Sequence, residues 1–226
     1  MTFSIAAHCP KTGMFGVTVT SSSICVASRC AFARRKVGAA LSQNVTDPNL
    51  GGRLLDLCEN GATAEEALVK VIAETPNIQW RQLGIVDSNG YNACYSGEHT
   101  LGINAMAQGD NCTAIGNLLA NEDIPGAIVN AFENTGGHLA ERLLMALQAG
   151  LDAGGEAGPI HSAGIKVYAD QEWPVVDLRV DWDPTPDNAI SRLRDIWEEY
   201  QPQMQPYITR AANPAESESY GVPGDE

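Results

Sequence analysis

Residues 2–23 read TFSIAAHCPKTGMFGVTVTSSS, two runs of β-formers, TFSIAAHC and MFGVTVTS, on either side of PKTG. Proline suits the start of a turn and glycine supplies a positive φ, so the stretch predicts a β-hairpin. Centring the turn between Lys11 and Thr12 pairs positions whose numbers sum to 23, which sets Thr2 opposite Ser21. The tract of Ser21, Ser22 and Ser23 therefore returns to the neighbourhood of Thr2.

Working outward, RRKVGAALSQNVTD (34–47) reads as one mostly buried strand that begins at a basic cluster and ends in polar Gln43 and Asn44. DPNLGGRLLDLCENG and TAEEALVKVIAE follow as two helices, the second capped by Thr63 with acids in its first turn. Strand signals resume at RQLGIVDSNG, YNACYSGEH and GDNCTAIGN. A second helical pair follows, EDIPGAIVNAFENTGG and HLAERLLMALQAGLDAGG, each closed by paired glycines, with His138 at the start of the second. HSAGIKVYAD and WPVVDLRVDW add strands, and PDNAISRLRDIWEEY makes an amphipathic helix. Segregated blocks of strands and helix pairs predict an α+β layered fold of mostly antiparallel sheets. Residues 1–200 are expected to form a single domain. Residues 201–226, rich in proline, glycine and acid, are expected to extend as a tail along this domain or a neighbouring subunit.

Twenty-eight acidic against fourteen basic residues give a net charge of −14, which repels phosphate backbones and anionic lipid. Nucleic acid and membranes are thus not expected partners. No apolar run approaches the ~20 residues that cross a bilayer, and no signal-peptide layout precedes the hairpin, so a cytoplasmic location is expected. The six cysteines form no C-x-x-C pair and are expected to be reduced thiols. His8 and Cys9 have no further ligand at metal-site spacing, so neither metal nor cofactor is expected. The apolar helix AERLLMALQAGL and the apolar residues of the tail point to a homodimer or a higher homo-oligomer.

MTFSIAA, RQLGIVDSNG, IGNLLAN, LAERLLMALQAGLDAGG and VDLRVDW, spread over nearly the whole chain, are similar to the domain-of-unknown-function family numbered ten-twenty-eight. That family is grouped with the N-terminal nucleophile (Ntn) hydrolases. The resemblance implies a four-layer αββα sandwich, with two mostly antiparallel sheets between helical layers. It also implies that the first residue after the initiator methionine acts as the nucleophile. Where many members follow the paired glycines with Asp and a basic stretch, this chain has GGEAGPIHSAG, with Glu156 as the acid.

Thr2 suits that chemistry. A hydroxyl is a poor nucleophile until a base takes its proton, and an N-terminal threonine carries an α-amine whose reference pKa is ~7.7–8.0. The expected activity is hydrolysis of a C–N bond in a small-molecule amide, imide, ureido or peptide-like substrate, after removal of Met1. Ser21 and Ser22, brought up by the hairpin, and Asn44 and Asn117 are the candidate catalytic partners and oxyanion donors. Gln43, Glu156 and His161 are candidates for substrate binding, and Lys36 for lowering the pKa of the nucleophile. Each has a plainer reading: serines make turns, amides brace loops, and Lys36 beside Arg34 and Arg35 forms a solvated cluster. The alternative function is a non-catalytic binding or assembly protein of the same fold that retains Met1.

Overall fold

In a computed structural model, which describes residues 1–224, β1 (Thr2–Cys9) and β2 (Met14–Ser21) form the expected hairpin. Phe3 pairs with Thr20 and Cys9 with Met14, so partner numbers sum to 23. Gly13, at φ +69°, closes the turn by donating its N–H to the Cys9 carbonyl.

Four strands precede the first helical pair rather than three. After a one-turn helix α1 (Ala27–Cys30) comes β3 (Ala31–Arg34), a strand the sequence reading did not foresee, and the strand expected over 34–47 is confined to β4 (Gly38–Asn44). The turn between them holds Lys36, exposed and at φ +59°. Then come α2 (Asn49–Glu59), α3 (Ala64–Glu74), β5 (Arg81–Asp87), β6 (Asn92–Ser96), β7 (Ala105–Gly109) and β8 (Cys112–Asn117). The chain continues through α4 (Ile124–Asn134), α5 (Leu139–Asp152), β9 (Ser162–Tyr168), β10 (Val176–Val180) and α6 (Ala189–Ala212). Thr63 caps α3 in a reciprocal capping box with Glu66, and His138 caps α5.

The strands assemble into a six-stranded sheet, β10-β9-β2-β1-β8-β7, and a four-stranded sheet, β3-β4-β5-β6, with every pairing antiparallel. Each face of each sheet has a distinct cover. Phe3, Ile5 and Ala7 of β1 pack with Ile128 and Phe132 of α4 and Leu143 and Leu147 of α5. Leu83 and Ile85 of β5 pack with Leu50 and Leu54 of α2 and Leu68 and Val71 of α3. Between the sheets, Ala6, Val17, Val19, Leu41, Val86 and Ile115 form a third cluster. The architecture is therefore the αββα sandwich. It also explains why all eight residues of β1 are buried: helices cover one face and the second sheet the other.

The tail departs from expectation. α6 runs to Ala212 through Pro202 and Pro206, so the chain is helical where an extended segment was expected from residue 201. Leu193, Trp197, Tyr200, Met204 and Ile208 continue one apolar stripe against the core, and that packing outweighs the two missing N–H donors. A short 3₁₀ turn (Pro214–Glu216) follows, and Arg210 then lies over the Tyr220 ring. Residues 225 and 226 of the expected tail lie outside the described residues. Among the described residues no helix is long and apolar enough to cross a membrane.

Phe3, fully buried against α4 and α5, tests this packing. Phe3→Ala is expected to lower unfolding free energy by about 3–5 kcal/mol, read from the midpoint of urea denaturation.

Candidate active site at the amino-terminal end of the sandwich

Side chains alternate across a strand, so Thr2, Ser4 and Ala6 share the face of β1 that meets the second sheet. Near the turn this inner layer is apolar, and towards Thr2 it is polar. Thr2 pairs with Asn117 of β8 and lies beside Ser21 of β2, their hydroxyl oxygens 3.4 Å apart. From the facing sheet, Gln43 and Gln82 are cross-strand partners, and Gln82 is in turn opposite Ser96.

The polar end is knitted by hydrogen bonds between the sheets. Ser4 Oγ donates to Gln43 Oε1 at 2.7 Å, and Gln43 Nε2 donates to Gln82 Oε1 at 2.8 Å. Gln82 Oε1 also accepts from Asn117 Nδ2 at 3.1 Å, while Gln82 Nε2 donates to Ser96 Oγ and to the Gly116 carbonyl, each at 2.8 Å. Ser4, Gln43 and Gln82 are completely buried. Polar groups at such depth are tolerated because each has a partner, and that mutual satisfaction holds Asn117 in place next to Thr2.

Thr2 itself is 6% exposed and lies beneath Met1. Its Oγ1 donates to the Met1 carbonyl at 2.5 Å, and Ser21 Oγ donates to the same oxygen. Ser21 Oγ further accepts the Ser23 N–H at 3.0 Å and lies 2.8 Å from Ser23 Oγ, which makes it the centre of the serine tract.

Glu156 approaches from the other side. Gly154 and Gly155, at φ +127° and +62°, turn the chain back after α5. Ala120 N–H to Gly155 and Ala157 N–H to Leu118 then tie this loop to the segment just beyond Asn117. Glu156 is only 6% exposed; Oε2 accepts the Ser22 N–H at 3.1 Å, and Oε1 is buried with no hydrogen-bond partner among the described residues. Burial pushes its carboxyl up to about 8, against the opposing pull of the Met1 α-amino charge and the Ser22 N–H.

Thus the fold brings together Thr2, Ser21, Gln43, Asn117 and Glu156, with Ser22 contributing its backbone N–H. It does not bring Lys36, which sits in the β3–β4 turn at the opposite end of β4 from Gln43. Lys36 therefore cannot tune Thr2. Asn44, at φ +75°, spends its side chain as a brace: Nδ2 donates to the Trp80 carbonyl and Oδ1 accepts the Leu101 N–H. His161 offers its backbone N–H to the Ser21 carbonyl, but its ring stacks on Trp182 and its Nδ1 donates to the Asp183 carbonyl. Ser4 and Gln82 complete the site and carry a weak sequence signal, since each lies two residues from, or opposite, a residue already singled out. Cavities of about 550 and 500 Å³ open at the far end of the sandwich, around Asn111 and around Cys9, Lys11 and Arg142.

The model of a family of unknown function, DUF1028, matches residues 2–190. The chain belongs to the DUF1028 family. Protein SPO2555 from Silicibacter pomeroyi, a crystal structure of that family, is 29% identical, with a TM-score of 0.82 over 88% of this chain and 86% of its own. Anbu, the ancestral beta-subunit from Yersinia bercovieri, is 12% identical over 90% of this chain and 96% of its own, and its TM-score of 0.39 is too low to bear on the site. Among curated proteins none matches the chain. The matched region of DUF1028 begins at Thr2 and takes in every residue of the polar network.

Two substitutions test the site as built. Gln82→Leu leaves Gln43, Asn117 and the Gly116 carbonyl each short of a partner, and is expected to destabilise the fold by about 2–3 kcal/mol in chemical denaturation. For Glu156, the folded chain keeps a proton between about 4.5 and about 8 that the unfolded chain releases. Stability therefore falls as pH rises through that window and levels off above it. Glu156→Gln, which cannot ionise, is expected to gain on the wild type by about 4 kcal/mol between pH 5 and pH 8.5, measured by urea denaturation at both values.

Proposed function

We propose that this DUF1028 protein is an N-terminal-threonine amidohydrolase, cleaving the C–N bond of a small amide, imide, ureido or peptide-like substrate once Thr2 is the first residue. One observation carries the reading. A carbonyl oxygen, that of Met1, is held by both the Thr2 and Ser21 hydroxyls, above a buried network that holds Asn117 alongside.

The chemistry follows from those groups. With Met1 gone, the Thr2 α-amine takes the Oγ1 proton, directly or through one water, because an amine of reference pKa ~7.7–8.0 is partly unprotonated near neutrality. Oγ1 attacks the substrate carbonyl carbon. Ser21 Oγ and the second amide proton of Asn117 are the donors for the developing oxyanion, and each well-placed donor of this kind is worth about a hundredfold in rate or more. Collapse breaks the C–N bond, the ammonium of Thr2 protonates the departing amine, and water then hydrolyses the Thr2 ester. The uncharged floor of amides and hydroxyls stabilises a developing negative charge without repelling it.

The second reading is a non-catalytic binding or assembly protein that retains Met1. It is favoured by the same contact: in the chain with Met1, the nucleophile hydroxyl is committed to the residue before it. Intact mass spectrometry of protein from its native source separates the two, with loss of one methionine residue expected for the hydrolase. On protein beginning at Thr2, Thr2→Ala is expected to reduce amide hydrolysis at least a thousandfold with an unchanged circular dichroism spectrum, and Thr2→Ser to keep measurable turnover. Retained Met1, or a Thr2→Ala enzyme as active as the wild type, would overturn the hydrolase reading.

A further inference from the structure

At the end of the sandwich opposite Thr2, three turns enclose a cavity of about 500 Å³. The β1–β2 turn supplies Cys9 and Lys11, the β7–β8 turn Asp110, the end of α4 Glu133, and the first turn of α5 Arg142. A volume of this size suits a small organic molecule.

Arg142 is the residue that points to a ligand. Acids outnumber bases two to one in this chain, and Arg34, Arg35, Arg53, Arg179, Arg192 and Arg194 each pair with one. Arg142, half-buried, makes no ion pair among the described residues. Its Nη2 donates to the Phe132 carbonyl at 3.1 Å, and its Cζ lies 3.9 Å from the centre of the Phe132 ring, so the guanidinium is held flat in one place. Nε is buried with no partner, and Nη1 has no protein acceptor among the described residues. The neighbouring acid does not answer it, because Glu133 Oε1 accepts the Asp110 N–H at 2.7 Å. Lys11, exposed on the hairpin turn, likewise has no ion pair among the described residues. Cys9, on the floor between them, registers the same field. Against the upward push of burial, the Thr12 hydroxyl, the N–H groups of Thr12 and Lys11 and the Arg142 charge hold its thiol below the ordinary range.

We infer that this cavity is a second ligand site, separate from the Thr2 site, and that it binds a small organic monocarboxylate on Arg142 and Lys11. A carboxylate matches the planar fork of a guanidinium, and a fixed, half-desolvated guanidinium without an acid partner binds one more strongly than a solvated side chain does. Asp110 and Glu133 remain on the rim, so a second negative charge on the ligand is repelled and a phosphate dianion fits poorly. The site is independent of the hydrolase reading, since it uses neither Thr2 nor any group of the polar network.

The test is titration calorimetry on the full chain with three probes: benzoate, its uncharged isostere benzamide, and inorganic phosphate. Benzoate is expected to bind at least tenfold more tightly than either of the others. Arg142→Gln is expected to weaken benzoate at least tenfold, and Lys11→Gln, on an exposed turn that tolerates the change, severalfold, each with an unchanged circular dichroism spectrum. Should Arg142→Gln fail to fold, Arg142→Lys, which keeps the charge and loses the fork, takes its place with the same expected direction. Absence of benzoate binding, equal affinity for benzamide, or a folded Arg142 variant that binds benzoate like the wild type would overturn the site. Phosphate binding as tight as benzoate would overturn the assignment to a monocarboxylate.

Discussion

The candidate site depends on the register of one antiparallel ladder, in which β1 meets β2 with partner numbers summing to 23 and β8 with numbers summing to 119. Strand periodicity makes that register all-or-nothing. A slip of one residue would turn Thr2 and Ser4 towards α4 and α5 and drive Phe3 and Ile5 against the two glutamines of the facing sheet. Burial of Phe3 and Ile5 against the helices holds the register with several kcal/mol of apolar contact, and the position of Thr2 follows from it. The nucleophile candidate is located by hydrophobic packing on the opposite face of its own strand.

The layer between the sheets then divides into two functional halves. From Ala6, Val17, Val19, Leu41, Val86 and Ile115 it draws cohesion, and at its end Ser4, Gln43, Gln82 and Asn117 replace that apolar filling with amides and hydroxyls. A half-satisfied polar layer there would destabilise the sandwich, whereas this one closes on itself, so its groups stay oriented without solvent. Glu156 is the exception to that closure. Its orphan oxygen is buried beside the serine tract, where its other oxygen accepts the Ser22 N–H and the charge of the Met1 amine acts on the carboxyl.

Much of this arrangement was readable locally. The turn PKTG fixes the hairpin centre and hence Thr2 opposite Ser21; Thr63 and His138 cap their helices by short-range rules; and the paired glycines after α5 announce a reversal that delivers Glu156. Misreadings came where a local rule met a competing one. RRKVGAALSQN reads as strand from its first residue, yet Lys36 takes up a left-handed conformation in a turn, so the strand starts only at Gly38 and a separate strand, Ala31–Arg34, precedes the turn. Pro202 and Pro206 read as the end of order, yet the apolar stripe from Leu193 to Ile208 keeps α6 helical past both. Asn44 has the right chemistry and the right strand, but sits at the strand's end, where two loops need an amide to join them.

Strand periodicity, turn residues and helix caps are interactions among residues a few positions apart, so the sequence by itself determined the hairpin, its register, the order of strand and helix blocks, and Thr2 as the hydroxyl beside the serine tract. The meeting of Ser4 with Gln43, of Gln82 with Asn117, and of Ser22 with Glu156 spans 39, 35 and 134 residues. Those contacts exist only once two sheets have packed face to face and the loop after α5 has folded back over their edge. Tertiary structure therefore decided which amides line the site, that Lys36 stays away from it, and that a buried carboxyl waits beside the amino end of the chain, because burial and pairing at that depth are properties of the assembled layers.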